Sequence, residues 1–300
     1  MVNISVNLCG IGLQNPIIPA SGTFGYGKEF CDFYDINILG AISIKGTTKE
    51  PRYGNPQPRI AECYSGMINS VGLQNPGIDA VVGKQIPDLR KFYHQPIVAN
   101  ISGFSVDEYM ECCRKIDSLA DIIEVNISCP NVHNGGMSFG TDPASAAMIT
   151  KAVKSVTTKP VFVKLTPNVT DIVSIAKACE DAGADGLTLI NTLLGMRIDI
   201  KRRKPVLTNK MGGFSGPAVF PIAVRMVYQV AKACSIPIIG CGGISTTDDV
   251  IEMMMAGATA VEIGTANLIE PMTCKTIIDK LPNRLLELGF NNINDIIGII

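Results

Sequence analysis

The 300-residue sequence predicts an α/β fold, a (β/α)8 TIM barrel, on the basis of two observations. Short β-branched runs bounded by Gly, Pro or polar residues recur along the chain, and most precede a helical pattern, which is typical of parallel βαβ units. Several runs, such as PVFVKL and IPIIGCGG, are almost continuously apolar, as expected of strands buried on both faces. The eight predicted strands span residues 15–20, 41–47, 96–103, 122–128, 160–166, 186–192, 236–243 and 260–266.

Capping and breaking residues predict where the helices begin and end. Asp142 is a predicted N-cap, because Pro143 follows it at the first helical position. Further helices are predicted over residues 171–182, 217–234 and 247–256, which open with proline or end before glycine. Eight alternations close a barrel. A doubly wound open sheet is the alternative, but it needs a switch point and usually has fewer strands.

The connections also carry information about domain organisation. Two of them, residues 48–95 and 193–235, are long enough to be lids over a site. The stretches RYGNPQPR and NSVGLQNPG in the first favour ordered loops rather than a helix. The opening segment ISVNLCGIGL predicts a small β-hairpin at the bottom of the barrel. No linker divides the sequence, so we expect residues 1–300 to form a single domain.

Composition excludes several classes of partner. The chain has 26 Lys+Arg against 27 Asp+Glu, which leaves no basic surface for nucleic acid or an anionic membrane. No apolar run approaches the roughly 20 residues of a membrane helix, and the amino terminus lacks signal-peptide features. The ten cysteines are irregularly spaced without a C-x-x-C, so we expect a reducing, cytoplasmic setting and no metal or iron–sulfur cluster on this chain.

The predicted strands deliver a varied, mostly polar group of residues to the barrel end where active sites form. Buried unpaired charges and amides are costly, so this group predicts a polar ligand. Its members are Ser21, Lys45, Asn100, Asn126, Ser128, Cys129, Lys164, Asn191, Thr192, Gly242, Gly243, Gly264 and Thr265. The glycines after the last two strands predict a phosphate site, to which Gly216 adds a contact.

Two of these residues have a competing structural interpretation. Lys164 lies within an apolar strand and could be a lysine that simply extends its ammonium to water. Most cysteines are small buried hydrophobic residues, but Cys129 follows a strand end between Ser128 and Pro130. A thiol there could exchange a proton with a substrate if its pKa falls from about 8.5. The chain has no G-x-G-x-x-G after a strand and no P-loop signature, so neither an NAD-binding Rossmann unit nor an ATPase is indicated.

Five segments, NPIIPASGTFGYG, NISCPNVHNGG, VKLTPNVTDI, ADGLTLINT and IPIIGCGGI, resemble the class 1 dihydroorotate dehydrogenases over almost the whole chain. The resemblance implies that Cys129 is the catalytic base, where class 2 enzymes use serine. Residues 69–77, NSVGLQNPG, resemble the class 1B form rather than the fumarate-using class 1A form.

The same resemblance implies which residues bind the ligands. Substrate-binding residues would be Lys45, Asn69, Ser70, Val71, Gly72, Leu73, Asn126, Asn131, Asn191 and Thr192. FMN-binding residues would be Ser21, Lys45, Gly46, Asn100, Asn126, Lys164, Ile190, Gly216, Gly242, Gly243, Gly264 and Thr265. A cation such as Lys164 beside the flavin would stabilise the negative charge of the reduced ring.

The implied activity is oxidation of (S)-dihydroorotate to orotate in de novo pyrimidine biosynthesis, with a proton passing to Cys129 and a hydride to FMN. Because the chain has no dinucleotide fingerprint or cysteine cluster, the resemblance implies a partner subunit that carries FAD and a [2Fe–2S] cluster and delivers electrons to NAD+. A heterotetramer built on a homodimer of this chain is expected. The alternatives are a fumarate-dependent class 1A enzyme, a dihydropyrimidine dehydrogenase-like flavoprotein, a non-redox barrel and a noncatalytic FMN subunit.

Overall fold

The eight predicted strands are present in a computed structural model that describes residues 2–127 and 139–300. In chain order, the barrel strands β1 to β8 are Ile17–Pro19, Ile42–Ser43, Ile97–Ile101, Ile122–Asn126, Val161–Leu165, Gly186–Leu189, Ile238–Cys241 and Ala260–Ile263. All neighbours pair in parallel, in the order β1-β8-β7-β6-β5-β4-β3-β2. The barrel closes between β1 and β2, the first and last strands in this order. There the Gly40 N–H, just before β2, donates to the carbonyl of Ile17 in β1 at 3.0 Å. The predicted TIM barrel is confirmed.

The barrel strands are apolar because both of their faces are covered. Every residue of the eight strands is buried, and the side chains of Val163, Leu187 and Val261 are fully excluded from solvent. Burying an aliphatic side chain of this size contributes roughly 1.5–3 kcal/mol, so this core supplies the main driving force for folding. Its rigidity fixes the positions from which the polar residues at the strand ends project.

The helices surround the barrel, and the four predicted ones are present close to their predicted starts. The helices Val106–Ile116 and Thr273–Glu287 were not predicted. The longer α-helices are Val106–Ile116, Pro143–Lys154, Ile172–Asp181, Phe220–Ala231, Thr247–Met255 and Thr273–Glu287. Shorter helical segments are Lys28–Asp32, Ile36–Ile38, Ile78–Ala80, Val81–Gln85, Ile86–Leu89, Asp117–Leu119, Pro217–Val219, Ala266–Ile269 and Ile293–Ile296. The Asp142 carboxylate accepts the Ser145 N–H at 2.8 Å, which confirms the predicted cap. Asp171 caps the next helix in the same way.

The predicted amino-terminal hairpin is also present. Val6–Leu8 pairs antiparallel with Ile11–Leu13, and the side chains of Leu8 and Leu13 are buried in the core. At the turn, the Cys9 thiol donates to the carbonyl of Asp185, the residue before β6. The hairpin therefore lies at the amino-terminal end of the strands, opposite the predicted site.

The interpretation of the first long connection as loops was only partly correct. Strands Ile60–Cys63 and Gly66–Asn69 from that connection join Leu193–Met196 and Met211–Ser215 from the second in a four-stranded antiparallel sheet, which we call the cover sheet. A separate two-stranded ladder pairs Ile198–Asp199 with Lys204–Pro205. The first connection also contains the helical segments from residue 78 to 89. Local composition could not reveal the cover sheet, because the one pairing that unites its two halves, Gly66–Asn69 with Met211–Ser215, joins distant parts of the chain.

Candidate active site

The carboxyl ends of the barrel strands open into a cavity that the cover sheet helps to enclose. Most of the predicted site residues line it: Ser21, Lys45, Gly46, Asn69, Val71, Gly72, Leu73, Asn100, Asn126, Lys164, Ile190, Asn191, Thr192, Gly216, Gly242, Gly243, Gly264 and Thr265. Ser70 is not part of the lining; it is buried, and its N–H donates to the Arg59 carbonyl at 2.8 Å. Ser128, Cys129 and Asn131 lie outside the described residues.

Lys45 supplies a cation to this cavity just beyond the end of β2. Burial lowers the pKa of its ammonium, and the charge of Arg59 lowers it further. Within residues 2–127 and 139–300, no carboxylate forms a salt bridge with Lys45. An ammonium that is largely desolvated and lacks a counter-charge favours an anionic ligand.

Amide side chains form a second polar group in the cavity. The Asn191 amide donates to the Asn126 side-chain oxygen at 3.4 Å, across strands β6 and β4. Asn69, on the cover sheet, donates to the Gly213 carbonyl at 3.4 Å. These amides are held by the fold while they face the cavity, an arrangement that suits recognition of a ring with carbonyl and N–H groups.

The sequence interpretation missed one residue that positions this group. The Asn168 side chain donates to the Thr192 carbonyl at 3.0 Å and accepts the Leu194 N–H at 2.7 Å. It therefore fixes the turn by which β6 enters the cover sheet. Its only local signal is a position shortly after a strand end, in TPN, which is also typical of an ordinary turn. Phe214 and Met67 line the cavity from the cover sheet and were missed with that sheet.

The glycines after β7 and β8 shape one wall of the cavity. Gly243 has φ +77°, and a Cβ there would lie 2.7 Å from the backbone nitrogen of Phe220. Gly264 has open space, since its nearest neighbour would be 3.7 Å away. In the described part of the chain, the N–H groups of these two glycines donate no hydrogen bond. Such free donors beside glycines can bind an anion such as a phosphate.

Lys164 projects from β5 into a buried group of charges at the floor of the cavity. Its ammonium forms a close hydrogen bond with the Glu262 carboxyl and lies 3.6 Å from the Glu124 carboxyl. Asn100 donates its side-chain N–H to Glu124. Burial alone would lower the pKa of Lys164, but attraction to both carboxyls outweighs it, so the pKa rises. Lys164 therefore carries a positive charge in the barrel interior.

These features place the chain in the class of barrel enzymes that bind an anionic small molecule, because the mouth of its (β/α)8 barrel combines two lysines, several amides and a glycine-lined anion site. The family model described as dihydroorotate dehydrogenase matches residues 3–285. The chain belongs to the dihydroorotate dehydrogenase family.

Individual relatives agree with this assignment. Two proteins named dihydroorotate dehydrogenase B (NAD(+)), catalytic subunit, are similar over 300 residues. The one from Halalkalibacterium halodurans is 57% identical, with 99% of this chain and 98% of the relative covered. The one from Geobacillus kaustophilus is 56% identical, with 99% and 96% covered. The crystal structure of ligand-free DHODH from Eimeria tenella superimposes with a TM-score of 0.84 at 25% identity, covering 99% of this chain and 91% of that one.

No helix in residues 2–127 or 139–300 is long and apolar enough to cross a membrane.

Proposed function

We propose that this chain oxidises (S)-dihydroorotate to orotate in pyrimidine biosynthesis, with a hydride passing to FMN and electrons continuing through a partner subunit to NAD+. The observation that carries the proposal is that one cavity brings amides and the buried lysine Lys164 together with Lys45, which has no salt bridge among the described residues. The names of the two relatives described above support the same substrate and acceptor.

The cavity suits FMN as the bound cofactor. The N–H groups of Gly243 and Gly264, which donate no hydrogen bond to any described residue, are donors for a phosphate. The Asn100 side-chain oxygen is buried at the cavity without a hydrogen-bond partner among the described residues, so it can accept a ring N–H. When bound, FMN supplies the site that accepts the hydride. Lys164 would compensate negative charge on the ring, and residues 1–300 would form one FMN-binding domain.

Substrate recognition follows from the groups on the opposite side of the cavity. Lys45 would pair with the carboxylate of dihydroorotate, and this unpaired cation favours a carboxylated ring over uracil or thymine. Asn69, Asn126, Asn191 and Thr192 would hydrogen bond to the ring, and Val71, Gly72 and Leu73 would close over it. By resemblance, Asn131 and Ser70 belong to the same set.

We assign to Cys129 the role of accepting the substrate's proton, on the basis of the family motif that spans Asn126 to Asn131. As its thiolate, Cys129 would take a proton from the ring methylene while a hydride leaves the neighbouring ring carbon, so that a carbon–carbon double bond forms. Holding the substrate beneath the cover sheet excludes water from this step and strengthens its electrostatic interactions.

Electrons must leave the chain after each turnover, and the relatives' designation as a catalytic subunit supports a separate partner for that purpose. We assign to this partner an FAD and a [2Fe–2S] cluster, and we place the assembly in the cytoplasm as a heterotetramer built on a homodimer of this chain.

The acceptor is tested by reoxidation of the dihydroorotate-reduced protein without oxygen. We expect NAD+ to restore the oxidised flavin spectrum only when the partner subunit is present. Restoration by fumarate with this chain alone would instead make it a class 1A-type enzyme. If dihydrouracil reduces the flavin as well as dihydroorotate does, the assigned substrate class is wrong.

Gly243→Ala should greatly weaken FMN binding and also destabilise the fold. A side chain at φ +77° is strained by about 1–2 kcal/mol, and its Cβ would push against the Phe220 backbone. Gly264→Ala is the matched control for stability, because its Cβ meets no atom within 3.6 Å. Bound flavin and urea unfolding measure the two effects. Normal FMN content in Gly243→Ala would exclude this loop from the phosphate site.

A further inference from the structure

Three charged side chains stand apart from all others in the described part of the chain, because they alone are buried. Glu124 and Glu262 are 0% exposed and Lys164 is 4% exposed. They project from β4, β8 and β5 into the barrel interior, where Lys164 lines the floor of the cavity. Two carboxylates beside one ammonium would leave an unbalanced negative charge in a medium where isolated ions are very costly.

The geometry makes the two carboxyls a coupled pair. Both approach the Lys164 ammonium with their Oε2 atoms, Glu262 in direct contact and Glu124 at 3.6 Å. The Oε1 atoms of both carboxyls are buried and find no hydrogen-bond partner among the described residues. Burial and the neighbouring Glu124 raise the pKa of Glu262 to about 8, against the opposing effect of Lys164. A titration of this kind belongs to the pair rather than to one residue.

The other strands add no charge to this interior. Register places on the same inner face the uncharged residues Ile18 of β1, Ser43 of β2, Asn100 of β3, Thr188 of β6 and Cys241 of β7. Burial raises the pKa of the Cys241 thiol to about 12, so it is neutral near pH 7. Asn100 only donates a hydrogen bond to Glu124. The charge of the Lys164 ammonium in the barrel interior is therefore balanced by Glu124 and Glu262 alone among the strand residues named here.

We propose that Glu124 and Glu262 share one proton at neutral pH and act together as positioning residues for Lys164, fixing its ammonium at the cavity floor. With one shared proton the three residues are electrically neutral, since one positive charge meets one negative charge. Either carboxylate alone is sufficient to keep Lys164 charged, and removal of both is not. Where the inference concerns flavin, it rests on the proposed function.

The shared proton is observable without any ligand. We expect infrared spectra of the purified chain to contain the carbonyl band of a protonated carboxylic acid at neutral pH, and this band should disappear as the pH is raised, because the pKa of Glu262 lies above its ordinary value. Glu124→Gln and Glu262→Gln should each remove the band, because the single remaining carboxyl is ionised beside Lys164. Glu252→Gln, an exposed helical residue, is the control and should retain it. Absence of the band from the wild type, or its survival in both single variants, would overturn the proposal.

The free energy of unfolding should also depend on pH in a specific way because of Glu124 and Glu262. The folded-state pKa of Glu262 is raised above the ordinary value of 4.5, so this contribution to stability is fully present below about pH 4.5 and is lost as the pH rises through the raised folded-state pKa. Between these values the unfolding equilibrium constant should increase by up to about tenfold per pH unit from this pair alone. Urea unfolding across this pH range should show the free energy of unfolding of the wild type falling more steeply with pH than that of Glu262→Gln, by this amount. Equal dependence on pH in the two proteins would contradict the shared proton.

The positioning role is measured on the FMN-loaded protein. Each single Gln variant should retain a near-normal flavin midpoint potential, whereas the Glu124→Gln/Glu262→Gln double variant should lower it, because Lys164 loses both counter-charges and its proton. Equal potentials in the double variant and the wild type would reject positioning of Lys164. A chain that binds no flavin in any form would reject the proposed function, while the infrared result would still decide the shared proton.

Discussion

Replacing Cys129 with alanine is expected to slow reduction of the bound FMN by dihydroorotate by about 10²–10⁴-fold, the range for loss of a general base. The variant should still bind FMN and orotate, because most of the residues assigned to the two ligands, such as Lys45, Lys164 and Asn191, lie on other strands and loops. Rapid mixing without oxygen, with absorbance of the flavin as the signal, measures the step directly.

A matched cysteine variant separates this effect from a general consequence of thiol removal. Cys9 is exposed at the amino-terminal hairpin, on the opposite end of the barrel. Cys9→Ala should reduce its flavin at the wild-type rate. If Cys129→Ala were reduced as fast as the wild type, another group would have to accept the proton.

Lys164→Met should destabilise the protein by about 3–5 kcal/mol, the usual effect of removing one partner from a buried ion pair. Glu124 and Glu262 would remain without their ammonium in the barrel interior. Because protonation can relieve that charge, the loss of stability should be greatest at alkaline pH. Urea unfolding at several pH values provides the measurement.

The triple variant Lys164→Met/Glu124→Gln/Glu262→Gln isolates the cause. With no charge left to bury, it should recover much of the lost stability, since a buried ionic group can often be replaced without large cost. It should not recover normal flavin potential. A Lys164→Met protein as stable as the wild type at alkaline pH would show that the carboxyls do not depend on this lysine.

The features that the sequence predicted correctly are those governed by local patterns. Apolar runs such as residues 160–166 need only their own composition to indicate a strand, and Asp142-Pro143 needs only its neighbours to indicate a cap. The rule that barrel sites form at strand ends then brings Lys45, Lys164 and Asn191 together without any structural information. That rule is why most of the predicted site could be assembled in advance.

The features that were missed depend on contacts between distant parts of the chain. The cover sheet pairs Phe214 with Ile68, and neither flanking sequence shows a strong alternation. Similarly, Glu262 lies within an otherwise apolar strand, and its local sequence gives no sign of its role. Its partner Lys164 is 98 residues away and meets it only across the closed barrel. Glu124 was missed because one carboxylate in IIEVN gives no sign of its partners.

Delivery of a hydride from dihydroorotate to a flavin held by this chain is tested most directly by an anaerobic titration of the purified, FMN-loaded protein with dihydroorotate. We expect the flavin absorbance to bleach and orotate to appear in an amount equal to the reduced flavin. A flavin that stays oxidised in the presence of excess dihydroorotate would contradict it.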